Sequence, residues 1–446
     1  MSLNKPFSYY CDDSALRFYV LSVGEGLMIL IIFPNNQVML FDCNVTEENE
    51  KEILDWLARE IPLNYDDEIG TNKQIIHYFV NSHRDEDHYR GLKKVNERFP
   101  IKSIWDSGES GANTQSNAYL YYMGLRRRLK EKDEKNLRVL TPTNKPVVTI
   151  GGANIYCFSS ANDYVKNYDN NVRVFESSTK IQHTNSIVLR IEYNSTALLL
   201  TGDSDWKCWK EKIIPNFGDS VHSEILLASH HGSRSFFTAE ENEHIDINEN
   251  PDSTYIESID YIAPDIVLIS CGSYDTMHHP NKEALKIYQN NSKNEQVYST
   301  YNKGHLAGYI DNHGNYTVVP LRFQDSRTAA SAFKLNVLCT YEKNGTSTRV
   351  SNGQVLPIGG KLKFSIDTSG GIISPLDQVS ILWEVSNGGT GPHKEHQEIY
   401  YKGENESDGI LNFSRDLSFV GTHLLRCRLT HHKYGQITRI FCVKGR

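Results

Sequence analysis

The chain has 446 residues, 39% hydrophobic and 23% charged, with 47 basic against 55 acidic side chains and a net charge of −8. At roughly 150 residues per domain that length holds two or three domains, with a core that needs no disulfide staples. The acidic balance argues against coating nucleic acid by bulk charge, though a local basic groove stays open. No run of about 18 apolar residues exists to span a membrane, and MSLNKPFSYYCDD has no signal-peptide core. Eight cysteines are scattered without a C-x-x-C pair, which reads as buried thiols in a soluble, cytoplasmic protein. Histidine is the commonest metal ligand, so where the 17 histidines fall matters more than their number.

In chain order, RFYVLSV (17–23), GLMILIIF (26–33) and QVMLFDC (37–43) predict three strands joined by tight turns. TEENEKEILDWLARE (46–60) predicts a helix with Thr46 as N-cap, and QIIHYFVNS (74–82) another strand. SNAYLYYMGLRRRLKEKDEK (116–135) is helical in period; its Arg126, Arg127, Arg128 and Lys130 beside tyrosines fit a charged solvent face better than a nucleic-acid grip. Further strands are expected at 186–193, 196–203, 224–231 and 265–272, with the acidic stretch 238–253 as a surface loop. Hairpins first, then strands with interposed helices, predict packed α/β layers. From about 320 the chain becomes small and polar, then runs through strand-length segments with Gly- and Asn-rich turns. The expected division is an α/β domain over 1–322, a linker at 323–332 and an all-β domain over 333–446.

Directly after 74–82 stands His83-Arg84-Asp85-Glu86-Asp87-His88. So many carboxylates together raise their own electrostatic energy unless a cation sits among them. Imidazole with carboxylate suits two divalent metal ions, Zn²⁺ or Mn²⁺. Three more apolar strands end in, or lead to, such residues: Asp203, the His230-His231-Gly232-Ser233 run, and His278-His279-Pro280. Adjacent histidines on an extended segment point to opposite faces, so His230 and His231 are expected to play different parts. Gly232-Ser233 can present backbone N–H groups to an anion.

Taken together, YVLSVGEGLMILIIF, LFDCN, SHRDEDHYRGL, HTNSIVLRIEYNSTALLLTGD, LASHHGSRS and SCGSYDTMHHPNKEAL resemble, in order, the motif series of the metallo-β-lactamase superfamily. The likeness is to the hydrolase domain of ComEC-type DNA-uptake proteins. It implies a metallo-β-lactamase-like αββα four-layer sandwich over about 15–320, followed by the small all-β, sandwich-like domain. It further implies that His83 and Asp85 hold one metal and Asp87 and His88 the other. Asp203 would bridge them and His279 would complete the second metal's shell. Either His183 or Asn185 stands where the first metal takes its remaining ligand. His230 is assigned to a metal, and His231 and Ser233 to a phosphate oxygen or the leaving group; Asp87 would also orient the nucleophile. Aspartate at position 85, where most of the superfamily has histidine, moves the expectation towards Mn²⁺.

ILWEVSNGG, IYYKGEN and SFVGTHLLRC resemble, in that order, a C-terminal sensor domain of adenylyl/guanylyl cyclase-like and SMODS nucleotidyltransferase defence proteins. The likeness covers about 333–446 and implies sensing, of a nucleotide signal for instance, with Trp383, Asn387, Lys402 and His423 in the pattern. Lysine at 402 replaces the usual arginine, and Trp383 is equally well the core tryptophan of a β-sandwich. The expected function is metal-dependent phosphodiester hydrolysis, foremost of nucleic acid, by a regulated bacterial defence effector. Hydrolysis of a cyclic nucleotide, lactone or other ester is the enzymatic alternative, and a metal-stabilised sensor scaffold the non-enzymatic one.

Overall fold

A computed structural model describes residues 14–108, 114–161, 182–239, 245–246, 248–272, 279–320, 336–367, 379–388, 397–402, 412–418, 420–431 and 435–446. His278 and the expected linker at 323–332 lie outside them. The chain divides into two compact units, Met1–Ala307 and Gly308–Arg446.

In the first unit, β1 (Leu16–Val20), β2 (Ile29–Ile32) and β3 (Val38–Phe41) form an antiparallel meander. Helix α1 (Glu50–Glu60) and a surface hairpin of β4 (Leu63–Asp66) and β5 (Thr71–Gln74) follow. Then β6 (Ile76–Val80), β7 (Ile101–Asp106) and β8 (Leu137–Val139) add in parallel, crossing through α2 (Leu92–Arg98) and α3 (Asn117–Lys132). The second sheet has an antiparallel half, β9 (Val148–Ile150), β10 (Ala153–Ser159), β11 (Val188–Tyr193) and β12 (Thr196–Leu200). Its parallel half is β13 (Ile225–Leu227), β14 (Ile266–Ile269) and β15 (Val297–Ser299), with α4 (Lys282–Asn291) before the last strand.

Every residue of β1, β2, β3, β12, β13 and β14 is buried, so both sheets are covered on both faces. That is why these runs read as unbroken apolar stretches rather than alternating ones. Helices cover the outer faces. Trp56 of α1 meets Tyr19 edge-on at 4.9 Å, Tyr122 of α3 meets Phe79, and Ala284 and Tyr288 of α4 join Val267 and Ile269 in one core. The expected mixed α/β fold is present. Helix α1 starts three residues later than the sequence predicts: Asn49 rather than Thr46 precedes it, and the Asn49 side chain accepts from the Thr46 backbone N–H at 2.8 Å. On α3, Tyr119 and Tyr122 are buried, so neither offers a ring for stacking bases.

Two half-buried imidazoles tie the meander to its surroundings. The Nδ1 of His77 accepts the Val38 N–H at 3.0 Å, and the Nδ1 of His305 accepts the Ser22 N–H at 2.8 Å. An imidazolium has no lone pair to accept with. Burial, with Lys102 near His77 and Arg59 near His305, pushes both down to about 4. The unfolded chain therefore binds these protons first, and stability present above about pH 6.5 drains away as pH falls towards 4. The loss is on the order of 1–2 kcal/mol for His305 and less for the more exposed His77. Urea titrations at pH 7 and 5 should show His305→Gln losing less stability on acidification than the parent; equal losses would refute this.

The second unit begins around β16 (Leu306–Ile310) and has no helix among its described residues. β17 (Tyr316–Pro320), β18 (Asn336–Lys343), β19 (Thr346–Val350), β20 (Val355–Leu356) and β21 (Gly360–Asp367) come first. β22 (Val379–Gly388), β23 (Gln397–Lys402), β24 (Asn412–Leu417), β25 (Gly421–His431) and β26 (Gly435–Gly445) complete it. One layer runs β23-β22-β25-β26-β17-β16 and the other β19-β18-β21-β24. Their inner faces share one core, with Leu362 and Phe364 from the second layer and Trp383, Leu425 and Phe441 from the first. The division at 307/308 falls ahead of the stretch read as linker, because β17 pairs with β26 near the C-terminus. Among the described residues no helix is long and apolar enough to cross a membrane.

Candidate metal centre

The carboxyl ends of β6, β12 and β13 lie together, and the residues that follow them form one cluster. The Asp203 Oδ2 lies 3.3 Å from His88 Nε2, 3.6 Å from His230 Nε2 and 3.8 Å from both His83 Nε2 and His231 Nε2. On one side, Asp85 Oδ2 stands 3.5 Å from His83 Nε2 and 3.2 Å from His183 Nε2. On the other, Asp87 Oδ2 is 3.6 Å from both His88 Nε2 and His231 Nε2. Two ligand atoms each about 2.1 Å from a tetrahedral ion stand ~3.4 Å apart, which is the spacing found here.

The local chain paths explain the convergence. Successive side chains alternate, so His83 and Asp85 face the cluster while Arg84 points away. Arg84 is 4% exposed and donates to Asp106 at 2.9 Å; Asp106 also accepts from Arg126 Nε at 2.7 Å and from the Tyr122 hydroxyl at 2.8 Å. Gly202, at φ +51°, lets the chain turn into Asp203, because a Cβ there would stand 2.4 Å from Ser186 Oγ and 2.8 Å from Ser82 Cβ. After β13 the strand ends early. Instead of continuing extended to 231, His230 and His231 both take left-handed dihedrals (φ 47° and 56°). Ser229 Oγ donates to the Ser204 carbonyl at 2.6 Å and Ser233 N–H to the His230 carbonyl at 2.8 Å, closing that turn. The expectation that the two rings face opposite ways is therefore corrected: both reach Asp203.

The imidazoles are held by their other nitrogen. His88 Nδ1 meets Asp42 Oδ2 at 2.7 Å, His231 Nδ1 the Ser270 carbonyl at 3.0 Å, His83 Nδ1 the Ser82 hydroxyl at 3.0 Å and His230 Nδ1 the Ser235 hydroxyl at 2.8 Å. A ring whose Nδ1–H donates to a carboxylate or carbonyl presents a bare Nε2. His83 Nε2, His88 Nε2, His231 Nε2 and Asp203 Oδ1 are buried and make no hydrogen bond, which a cation among them would resolve. Electrostatics agree. Burial opposes charge on Asp203, yet His88, His230 and His231 hold it well below the usual carboxylate range; His88 and His231 likewise hold Asp87 down. Burial also opposes charge on His88, which Asp203, Asp87 and Asp42 raise well above its ordinary value. His230 differs: burial, with His183, His231 and His279 nearby, pushes it down to about 3.

The other expected site residues fall as follows. His183 enters the cluster, whereas Asn185 has its oxygen taken by Lys212 Nζ at 2.9 Å. His279 stands outside the clusters of three ligand atoms, its ring 6.2 Å from that of His231. It lines a cleft of about 250 Å³ with Glu25, Arg90 and Gly272, beside Asp87 and the two adjacent imidazoles. The Ser233 hydroxyl accepts from the Ser235 N–H at 3.2 Å. In the second unit, Trp383 is 2% exposed and stacked on Phe413, and His423 is 3% exposed. Asn387 pairs with His423 across the strands, and Lys402 lies opposite Ile381.

Asp42 was missed as a site residue. It is fully buried, sits at φ 57°, and also accepts from the Ser82 N–H at 2.7 Å and hydroxyl at 2.6 Å. Its signal was the same as that of Asp203: an apolar strand ending in aspartate.

Residues 317–441 match the family described as the adenylyl/guanylyl and SMODS C-terminal sensor domain. No curated protein matches the chain. Among solved structures, the chain is similar to Igni18, a metallo hydrolase of the archaeon Ignicoccus hospitalis. That match has 10% identity and TM-score 0.35, covering 65% of this chain and 98% of the other. It is also similar to ST1585, an archaeal metallo-β-lactamase superfamily protein from Sulfolobus tokodaii. Here identity is 12% and TM-score 0.26, covering 57% of this chain and 80% of the other.

Proposed function

We propose that the first unit is a dinuclear metal-dependent phosphodiester hydrolase, foremost a nuclease, governed by the C-terminal sensor unit in bacterial defence. The observation that carries it is the set of buried imidazole nitrogens and carboxylate oxygens around Asp203, spaced for ions and without hydrogen bonds of their own. His83, Asp85 and His183 would hold one ion and Asp87, His88 and His231 the other, with Asp203 between them and His230 beside it. Bound divalent ions would supply Lewis acidity at a phosphoryl group. The chain's own contribution is orientation. Asp42 fixes the His88 ring, the Ser270 carbonyl fixes His231, and Arg84 pins the ligand loop to Asp106. Arg90 is exposed at the cleft and gives it a cation for a phosphate oxygen, while His279 stands where a proton can be delivered to a leaving oxygen.

The test offers full-length protein, loaded with Mn²⁺ or Zn²⁺, plasmid, single-stranded DNA, RNA and a chromogenic phosphodiester, with and without cyclic nucleotides. Two metal equivalents and cutting of a polymer are expected. The cleft is small enough for one phosphodiester unit, which favours a second reading, hydrolysis of a small cyclic nucleotide or ester. Cleavage of small esters alone would select it, and metal-loaded but inert protein would refute both.

A further inference from the structure

Strand β24 alternates regularly: Asn412, Ser414 and Asp416 are exposed, while Phe413, Arg415 and Leu417 turn inward. An arginine thus stands on the inner face of the β unit. Its strand neighbour is Leu362, which is fully buried, and Phe413 beside it stacks on Trp383 with ring centroids 5.7 Å apart. The Nε and Nη1 of Arg415 are both out of contact with solvent and have no hydrogen-bond partner among the described residues. Guanidinium stays charged at any pH the fold survives, so it cannot escape this cost by losing its proton. Leaving such donors dry and unpaired is expensive; an oxyanion that accepts from both removes the cost.

The register shows what stands at the same end of the facing sheet. Leu417 pairs with Gly360, and the adjoining segment is bonded to both strands' ends: Gly359 N–H donates to the Leu417 carbonyl at 2.8 Å and Ile358 N–H to the Arg446 carbonyl at 3.1 Å. That places the Leu417 end of β24 at the Gly445 end of β26. Gly421 pairs with Gly445 and His423 with Val443. Arg415 and His423 therefore each lie two residues in from the same end of the unit, on the strands that form its inner faces. A buried imidazole on one sheet and, on the facing sheet, a half-buried guanidinium with two dry, unpartnered nitrogens thus stand at the same end of a largely apolar core.

We propose that Arg415 anchors an anionic ligand of the phosphate-monoester class within the second unit, with His423 as the second donor. This names the chemistry of the signal that the sensor reading requires, but it rests on the second unit alone, so it and the hydrolase reading can fail separately.

The test uses the full-length chain, Arg415→Met and Arg415→Lys, with inorganic phosphate and AMP as probes in calorimetry and thermal unfolding. The metal centre is common to all three, so its share of any binding cancels in the comparison. The parent should bind a probe that Arg415→Met binds at least tenfold more weakly, with Arg415→Lys between. Without a probe, Arg415→Met should unfold no earlier than the parent, since two dry donors without partners have been removed. Equal binding by parent and Arg415→Met, no binding to either, or earlier unfolding of Arg415→Met in probe-free buffer would each overturn the proposal.

Discussion

Asp203→Asn should reduce hydrolysis by at least ~10³-fold and lower the metal content of the purified protein, while its far-UV circular dichroism stays that of the parent. The substitution keeps shape and removes one negative charge from the point nearest four imidazole nitrogens, all within 3.8 Å of the Asp203 carboxylate. Replacing partners that merely orient a metal ligand costs about 10–100-fold in affinity or activity, so the shared ligand itself must cost more. Neutral asparagine also leaves His88 and His231 without the charge that now raises them, so the metal-free variant binds fewer protons near neutral pH. Elemental analysis, rate measurements and a proton-release assay on metal addition check the three parts together. Parent-like activity with parent-like metal content would remove Asp203 from the centre.

The second large effect is on stability. Asp106 is 1% exposed and compensates two guanidinium groups, of which Arg84 is itself 4% exposed. Removing one partner of a buried ion pair typically costs 3–5 kcal/mol, because the remaining charge is left in a low-dielectric site. Asp106→Ala should therefore destabilise the first unit by ~4 kcal/mol in urea titration and weaken metal binding, since Arg84 sits between His83 and Asp85 of the candidate centre. Combining it with Arg84→Met should recover a large share of that loss, as the stranded cation disappears. A single-variant loss below ~1 kcal/mol would show that the cluster is solvated and does not anchor the ligand loop.

Much of the candidate site is readable because its clustered residues follow apolar strands, where nothing about packing asks for Asp or His. His83, Asp85, Asp87, His88 and Asp203 announce themselves this way. Asp42 carried the same signal but works through His88, 46 residues further on, and only the parallel pairing of β3 with β6 brings the two together. The His230–His231 turn was misread because a periodicity argument presumes extended backbone, and left-handed dihedrals at two non-glycine residues leave no mark in the sequence. Nor does the sequence show that Lys212 takes up the Asn185 oxygen, since it reaches back from another element. The burial of Tyr119 and Tyr122 was within reach: with Leu125 and Leu129 they form a single helical stripe. The all-β character of the C-terminal third was plain in its strand lengths. The pairing of β17 with β26, more than a hundred residues away, was not.

The left-handed turn at His230 and His231 also bears on the order in which the centre assembles. Each such residue is disfavoured in a free chain by roughly 1–2 kcal/mol, and the clustered ligands come from four separate stretches of sequence. No short peptide cut from this protein presents more than part of the set, and the turn itself is held from distant segments, by the Gly202 carbonyl on the His230 N–H at 3.0 Å and the Ser270 carbonyl on the His231 ring at 3.0 Å. An ion held here would therefore enter a finished cavity. It would not act as the nucleus about which the chain collapses: the sheets would bear the entropy of gathering the clustered side chains, and uptake would be a late, separable event.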